Sequence, residues 1–298
     1  MPTSWEGVFC ALWTPTDEQG ALLEGALQAN LDFLKAKGVQ GLLALGSTGE
    51  FLHLDIAARK AFLTKVLAEC GSFPVMANVS DIRPGVVAEL GRFAREHGAA
   101  AVTVLPPYFF PLAQADLVEF FVRAGEAARL PLFLYNFPER VGNRISLEAI
   151  AAVAARIPLA GVKQSGSEFD YHRALVELGR QKNFVVFTGS DTNLPEAMAM
   201  GACGCVSGLA NAVPDLVGEV FASVKRGQFE SRNQAAERMR QIGAWVDRLE
   251  FPLNVAAVME ARGLAPGLPK SIVSSETQER YRTLVRGVSQ LFQEWKLG

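Results

Sequence analysis

Eight short apolar runs constrain what this chain can fold into more than any other feature of it. They are VFCAL (8–12), GLLAL (41–45), PVMANV (74–79), AAVTVL (100–105), PLFLYN (131–136), LAGVK (159–163), FVVFTG (184–189) and GCVSG (204–208). Continuous apolar character, rather than alternation, marks a strand covered on both faces, as in a parallel sheet wrapped by helices. Between the runs lie segments with apolar residues at helical spacing, such as LQANLDFLKAKG, AARKAFLTKVLAECG and GVVAELGRFAREHG. The last two end in glycine, which closes a helix because it accepts a left-handed backbone. Eight strand–helix units in about 225 residues match the α/β class and a (β/α)8 TIM barrel, typically ~250 residues long. A doubly wound open sheet is the competing arrangement, but no G-x-G-x-x-G follows the first strand.

From about Lys225 the strands stop, and three helical patterns follow: FESRNQAAERMRQIGAWVDRL, PLNVAAVMEARG and TQERYRTLVRGVSQLFQEW. The expected division is a barrel over 1–224 and a helical extension over 225–298 packed on it, with no linker long enough to free the extension. With 298 residues, 49% hydrophobic and 20% charged, the chain can bury a substantial core. A net charge of -2 and no concentrated Lys/Arg block argue against nucleic acid as a partner. The start, MPTSWEGVFCALWTP, lacks the basic and apolar regions of a signal peptide, and no run of about 18 apolar residues occurs. A cytoplasmic protein with no membrane partner is the expectation. Cys203 and Cys205 are spaced as metal ligands can be, but with only three scattered histidines, four cysteines read better as reduced, packed thiols.

One residue breaks the apolar pattern where a barrel carries its chemistry. Lys163 ends the sixth run, LAGVKQSG, at the mouth formed by strand C-termini. A solvated lysine has a pKa near 10.4, leaving only about one in 2,500 neutral at pH 7. Desolvation disfavours an ammonium ion, and a lysine among apolar strand ends can thereby attack a ketone to form a Schiff base. Position alone leaves an ion-paired strand-end lysine equally open. The fifth run ends in LYNFPERVG, which sets Tyr135 at the same mouth. Taken alone, a tyrosine on an apolar strand reads as core with a satisfied hydroxyl. The second run leads into GSTGEF (46–51), where two glycines bracket Ser47 and Thr48 ahead of a helix. Such a turn offers N–H groups and hydroxyls to a carboxylate or phosphate, or simply caps the helix. A lysine nucleophile, a phenol that moves protons and a cradle for a small anion together fit activation of a 2-oxo acid.

GSTGEF, PPYFFP, YNFP and GVK, in that order and at those distances, resemble the dihydrodipicolinate synthase and N-acetylneuraminate lyase family. The resemblance spans essentially the whole chain, and the set of motifs is specific although each member alone is weak. It implies a class I aldolase on a (β/α)8 barrel with a helical C-terminal extension. It further implies that Lys163 forms a Schiff base with pyruvate or a larger 2-oxo acid, that Tyr135 shuttles protons, and that Ser47 and Thr48 hold the carboxylate. Gly189 and Val206 match pocket-lining positions of the family. No metal or other cofactor is expected, since the iminium itself serves as the electron sink. A homo-oligomer, dimer or tetramer, is expected as well.

The motifs divide over the aldehyde partner. Arg140 in YNFPERVG matches the arginine that holds the carboxylate of aspartate semialdehyde in dihydrodipicolinate synthases. Those enzymes usually carry a tyrosine pair after the fourth strand, the second reaching across a subunit boundary into a proton relay. Here the stretch is Pro107-Tyr108-Phe109-Phe110-Pro111, so a phenyl ring stands where the relay hydroxyl belongs unless Tyr108 shifts by one position. LPPYFFP is closer to aldolases of 2-keto-3-deoxy sugar acids, the preferred reading. Ser47 and the run Lys163-Gln164-Ser165 resemble sialic acid lyases, in which case Asp191 and Thr192 would meet a sugar hydroxyl. A small-molecule sensor on the same barrel is the alternative outside catalysis; such a protein is expected to lack the lysine or the tyrosine, and both are present.

Overall fold

The computed structural model describes residues 5–71, 73–166 and 168–297. Each apolar run becomes a strand of four to six residues, each followed by helix. In chain order the first half holds β1 (Gly7–Ala11), α1 (Glu24–Ala36), β2 (Gly41–Ala44), α2 (Ile56–Cys70), β3 (Val75–Asn78), α3 (Pro84–Glu96), β4 (Ala101–Val104) and α4 (Gln114–Ala128). The barrel continues with β5 (Leu132–Asn136), α5 (Pro138–Val141), α6 (Leu147–Arg156), β6 (Leu159–Gln164), α7 (Phe169–Lys182), β7 (Val185–Thr188), α8 (Leu194–Ala199), β8 (Gly204–Ser207) and α9 (Pro214–Arg226). Three helices end the chain: α10 (Phe229–Val246), α11 (Leu253–Ala261) and α12 (Ser275–Glu294). The strands follow one another around a closed barrel in the order β1 to β8, so the fold is a TIM barrel with a helical C-terminal extension.

Every strand residue is buried except Ala160 and Val185, which are half-buried. That is the physical content of the continuous apolar runs: helices cover the outer face while side chains fill the barrel interior. Every observed strand end lies within one residue of the expected end. The trimmed positions are those, such as Leu45 with φ of +60°, where the chain turns toward a loop. No helix among the described residues is long and apolar enough to cross a membrane.

The chain divides into two compact units. One comprises the N-terminal stretch through Gly7 with Cys70–Val206, and the other Val8–Glu69 with the chain from Ser207 onward. In the first, β5, β6 and β7 run parallel in the register that sets Tyr135 opposite Lys163 and Lys163 opposite Phe187. Helices start and stop by ordinary chemistry. Ser146 caps α6 by accepting the Ala149 N–H, Pro84 opens α3, and Asn183 ends α7 in a left-handed conformation. Below β5, Trp5 packs edge-on against Phe133 with ring centroids 5.0 Å apart.

In the second unit a buried arginine ties three helices together. The Arg262 guanidinium sits 5.6 Å from the Phe33 ring on α1 and 5.5 Å from the Phe292 ring on α12. It donates at 2.6 Å to Asp215 in the first turn of α9, which Lys37 also approaches at 3.4 Å. Only 1% of the Arg262 side chain is exposed, so its charge depends on that carboxylate and on the ring faces around it.

All four cysteines, Cys10, Cys70, Cys203 and Cys205, are free thiols. The Cys203 thiol donates to the Val186 carbonyl at 3.1 Å, and burial pushes its pKa well above the usual range. Among the described residues no group of three or more His, Cys, Asp or Glu side chains could hold a metal ion.

His172 on α7 makes stability depend on pH. It is 3% exposed, packs against Phe169, and its Nε2 has no hydrogen-bond partner among the described residues. Burial lowers its pKa below the ordinary value near 6.5. The unfolded chain therefore binds this proton more readily, and stability present at pH 7 is lost as the pH falls through the unfolded-state value, by up to ~1.4 kcal/mol per pH unit. Urea unfolding of wild type and His172→Leu at pH 7.5 and 5.5 is expected to show the smaller acid loss in the variant. Equal losses would remove His172 from the effect.

Candidate active site

The register between β5 and β6 builds the centre of the site. Tyr135 and Lys163 are the last residues but one of their strands, paired across the ladder, and exposed by only 2% and 5%. Lys163 Nζ lies over the Tyr135 ring, 3.9 Å from its centroid. The negative face of a phenol ring attracts an ammonium group. The Tyr135 ring also stacks with Phe137, centroids 6.0 Å apart at 16°.

Backbone and amide bonds extend the ladder past the strand ends and fix the loops. Asn136, fully buried, donates from Nδ2 to Gln164 Oε1 at 2.8 Å and accepts the Ile145 N–H at 3.0 Å. The Ser165 N–H donates to the Asn136 carbonyl at 2.9 Å, and the Gly189 N–H to the Gln164 carbonyl at 2.7 Å. Ser165 is thereby held beside Lys163 and Gly189. A Cβ on Gly189 would overlap the Ser165 hydroxyl, come within 3.0 Å of Ser165 Cβ and within 3.3 Å of Lys163 Cε. The glycine is required by this close approach, which the motif alone did not explain.

The remaining expected residues lie on a strand, a short helix and the loops. Val206 is buried on β8; Arg140 is exposed on α5; Asp191 and Thr192 are half-buried in the turn after β7. Tyr108 is half-buried within electrostatic reach of Arg83, whose guanidinium is clamped on Asp81 by bonds of 2.8 and 3.0 Å. Phe109 is 85% exposed with φ of +80°, its ring edge-on to Phe110. Sequence reasoning missed the residue that holds this segment. Asn143 donates to the Pro107 and Phe110 carbonyls, both at 2.7 Å, and accepts the Leu112 N–H at 3.0 Å. An asparagine after a proline–glycine turn carries no signal of a partner more than 30 residues away.

In the second unit, Ser47 and Thr48 sit at the turn after β2. The Glu50 N–H closes the turn on the Ser47 carbonyl at 3.1 Å, and Thr48 is 4% exposed. A Cβ on Gly208 would lie 3.3 Å from Thr48 Oγ1, and one on Gly49 would lie 2.8 Å from the Leu12 carbonyl and 2.9 Å from Thr14 Oγ1. GSTGE does not run directly into a helix as expected. Glu50 takes a left-handed φ of +54°, a single 3-10 turn (Phe51–His53) follows, and α2 begins only at Ile56.

The dihydrodipicolinate synthetase family model matches residues 4–291. The chain belongs to that family. As a member of the dihydrodipicolinate synthetase family it is a lyase-type enzyme of the class I pyruvate-aldolase kind. A curated relative, 4-hydroxy-tetrahydrodipicolinate synthase of Methanothrix thermoacetophila, is 27% identical over 290 residues, covering 96% of this chain and 98% of its own. Among solved structures, the pyruvate complex of YagE, a prophage protein of the same family from E. coli K12, superposes with a TM-score of 0.89 at 23% identity over 99% of both chains. A Ruminococcus gnavus sialic acid aldolase gives 0.88 at 19% identity over 97% of both. At those identities the two structures speak for the fold alone.

The tight contact at Gly189 generates a prediction. Gly189→Ala is expected to fold but to displace Ser165 and Lys163 Cε, lowering kcat/KM by about tenfold or more. Adding Ser165→Gly should restore part of that loss. If Gly189→Ala retains full activity, the contact does not position the lysine.

Proposed function

We propose that this enzyme is a Schiff-base aldolase that joins or splits pyruvate and an aldehyde, with a 2-keto-3-deoxy sugar acid as substrate. The observation that carries the reading is the buried Lys163 amine 3.9 Å over the Tyr135 ring. In the condensing direction the neutral amine attacks C2 of pyruvate and forms the C–N bond. The carbinolamine then loses its hydroxyl as water with a proton from Tyr135. The Tyr135 phenolate takes a C3 proton from the iminium to give an enamine, whose C3 attacks the aldehyde carbon while Tyr135 returns that proton to the aldehyde oxygen. Water then adds to the product iminium, gives its proton to Tyr135 and releases the product and the neutral Lys163 amine. Cleavage is the reverse. Ser47 and Thr48 hold the pyruvate carboxylate, Gly189 and Val206 line the pocket, and Ser165, Tyr108, Asp191 and Arg140 face the aldehyde portion.

Phe109 supports the sugar acid over the synthase reading, because a phenyl ring supplies no hydroxyl to a relay. The second reading, condensation with aspartate semialdehyde, is favoured by Arg140 and by the synthase names of curated relatives. In this proposal residues 1–224 form the catalytic barrel, residues 225–298 the extension, and the cytoplasm is the site of action. The exposed Phe109 and Phe110 rings suit burial against another copy in a homo-oligomer, a dimer or tetramer.

Pyruvate with borohydride is expected to add one reduced pyruvyl group, mapped to Lys163 and absent from Lys163→Ala; labelling at Lys182 or Lys225 instead would move the active site. Tyr135→Phe keeps the ring and is expected to lower kcat by about 10²-fold to 10⁴-fold, as for a lost general acid or base. Unchanged turnover would take Tyr135 out of the mechanism. On one preparation, kcat/KM for 2-keto-3-deoxygluconate cleavage should exceed that for aspartate semialdehyde condensation. A preference of about tenfold the other way would promote the synthase reading.

A further inference from the structure

We propose that Lys270, far along the chain in the segment between α11 and α12, is a positioning residue for the Ser47–Thr48 turn and sets the enzyme's affinity for the carboxylate of its 2-oxo acid. The inference rests on the aldolase reading above.

Lys270 is an unusual lysine for a loop: its side chain is 4% exposed. Its Nζ donates to Glu50 Oε2 at 2.8 Å and to the Thr14 carbonyl at 2.7 Å, and lies 5.1 Å from the Trp13 ring. Glu50 is nearly as buried, with 9% of its side chain exposed. A charge pair so enclosed holds its geometry, because either partner alone would be a desolvated charge without compensation.

The pair has something to hold. Glu50 ends the GSTGE turn with φ of +54°, a conformation disfavoured for a residue with a Cβ, and its N–H closes the turn on Ser47. Thr48 lies two residues before it. The turn's underside rests on the Leu12–Thr14 segment, with Gly49 packed so closely on Leu12 O and Thr14 Oγ1 that no side chain fits. Lys270 bonds to both layers at once, to the Glu50 carboxylate above and the Thr14 carbonyl below. Freed from Lys270, the Glu50 carboxylate gains by turning to water, and the left-handed residue at the end of the turn then loses what fixes it.

The segment carrying Lys270 is itself anchored. Trp13 donates from its indole N–H to the Pro266 carbonyl at 2.6 Å, the Leu268 N–H donates to the Thr16 carbonyl at 2.8 Å, and Gly267 pairs with Thr16 in a parallel bridge. A Cβ at Gly267 would stand 2.5 Å from the Thr16 carbonyl, and Gly267 has φ of +76°. Residues 266–270 thus form a strap along 13–16. The Ser47–Thr48 turn is braced by a part of the chain some 220 residues away.

The test is the pyruvate dependence of borohydride trapping for wild type, Lys270→Met, Lys270→Arg, Glu50→Gln and Lys270→Met/Glu50→Gln, with urea unfolding of each. Lys270→Met and Glu50→Gln should each raise half-saturating pyruvate by about tenfold or more, with a smaller effect on the rate at saturation. The double variant should be no worse than the worse single one, since both remove the same tie. Lys270→Arg, which keeps the charge and the donors, should recover most of the affinity. Half-saturation unchanged in Lys270→Met or Glu50→Gln alongside a lowered urea midpoint would reduce Lys270 to a brace and overturn the inference. Should Lys270→Met fail to fold, Glu50→Gln, nearly isosteric with the native residue, decides alone. Wild type that takes no label overturns the aldolase reading itself, whereas normal wild-type labelling with indifferent variants overturns only this inference.

Discussion

Burial on both faces governs the rest of this molecule. Strands packed inside by their neighbours and outside by helices have no room for polar side chains along their length, so chemistry is confined to the strand ends and the loops beyond them. Lys163 and Tyr135 occupy that position on β6 and β5, with the hydrogen-bonded register bringing the amine to the ring. Because the register belongs to the sheet and not to a flexible loop, the pair is held before any substrate arrives.

Two buried lysines in one chain illustrate how environment assigns roles. Lys270 is matched by the Glu50 carboxylate and a main-chain carbonyl, contacts that hold a cation in place. Lys163 is met by an aromatic face and by the close packing of Ser165 and Gly189. A carboxylate and a carbonyl fix an ammonium in one geometry, which a ring face does less firmly. In the proposals above the first lysine braces and the second reacts.

Buried amides carry the site's outer architecture. Asn136 bridges β5 to Gln164 and to the chain at Ile145, while Asn143 gathers three main-chain groups of the Pro107–Leu112 segment. Each amide offers donors and an acceptor in a plane, so one side chain satisfies main-chain groups that the loops leave unpaired. The segment bearing Tyr108 and Phe109 therefore takes its shape from the loop after β5. The hydrogen bonds of Asn143 tie the two loops into one unit.

The sequence by itself determined the eight strands, the helices between them, the barrel and the three terminal helices, because burial on both faces writes a continuous apolar run that needs no knowledge of neighbours. It also determined Lys163 and Tyr135 as candidates, since a polar residue closing such a run is visible locally. Tertiary structure alone decided which groups meet. In the sequence Gly189 only closes the seventh run and matches a pocket-lining position of the family, and the approach of Ser165 and Lys163 Cε is what shows why a side chain is excluded there. Lys270 and Glu50 lie in unrelated loops, and the division into units that join Val8–Glu69 with the chain from Ser207 onward follows no local pattern. Propensity and periodicity arise from near neighbours in the chain, whereas ion pairs, close packing and hydrogen bonds between loops depend on distances that exist only after the barrel has closed.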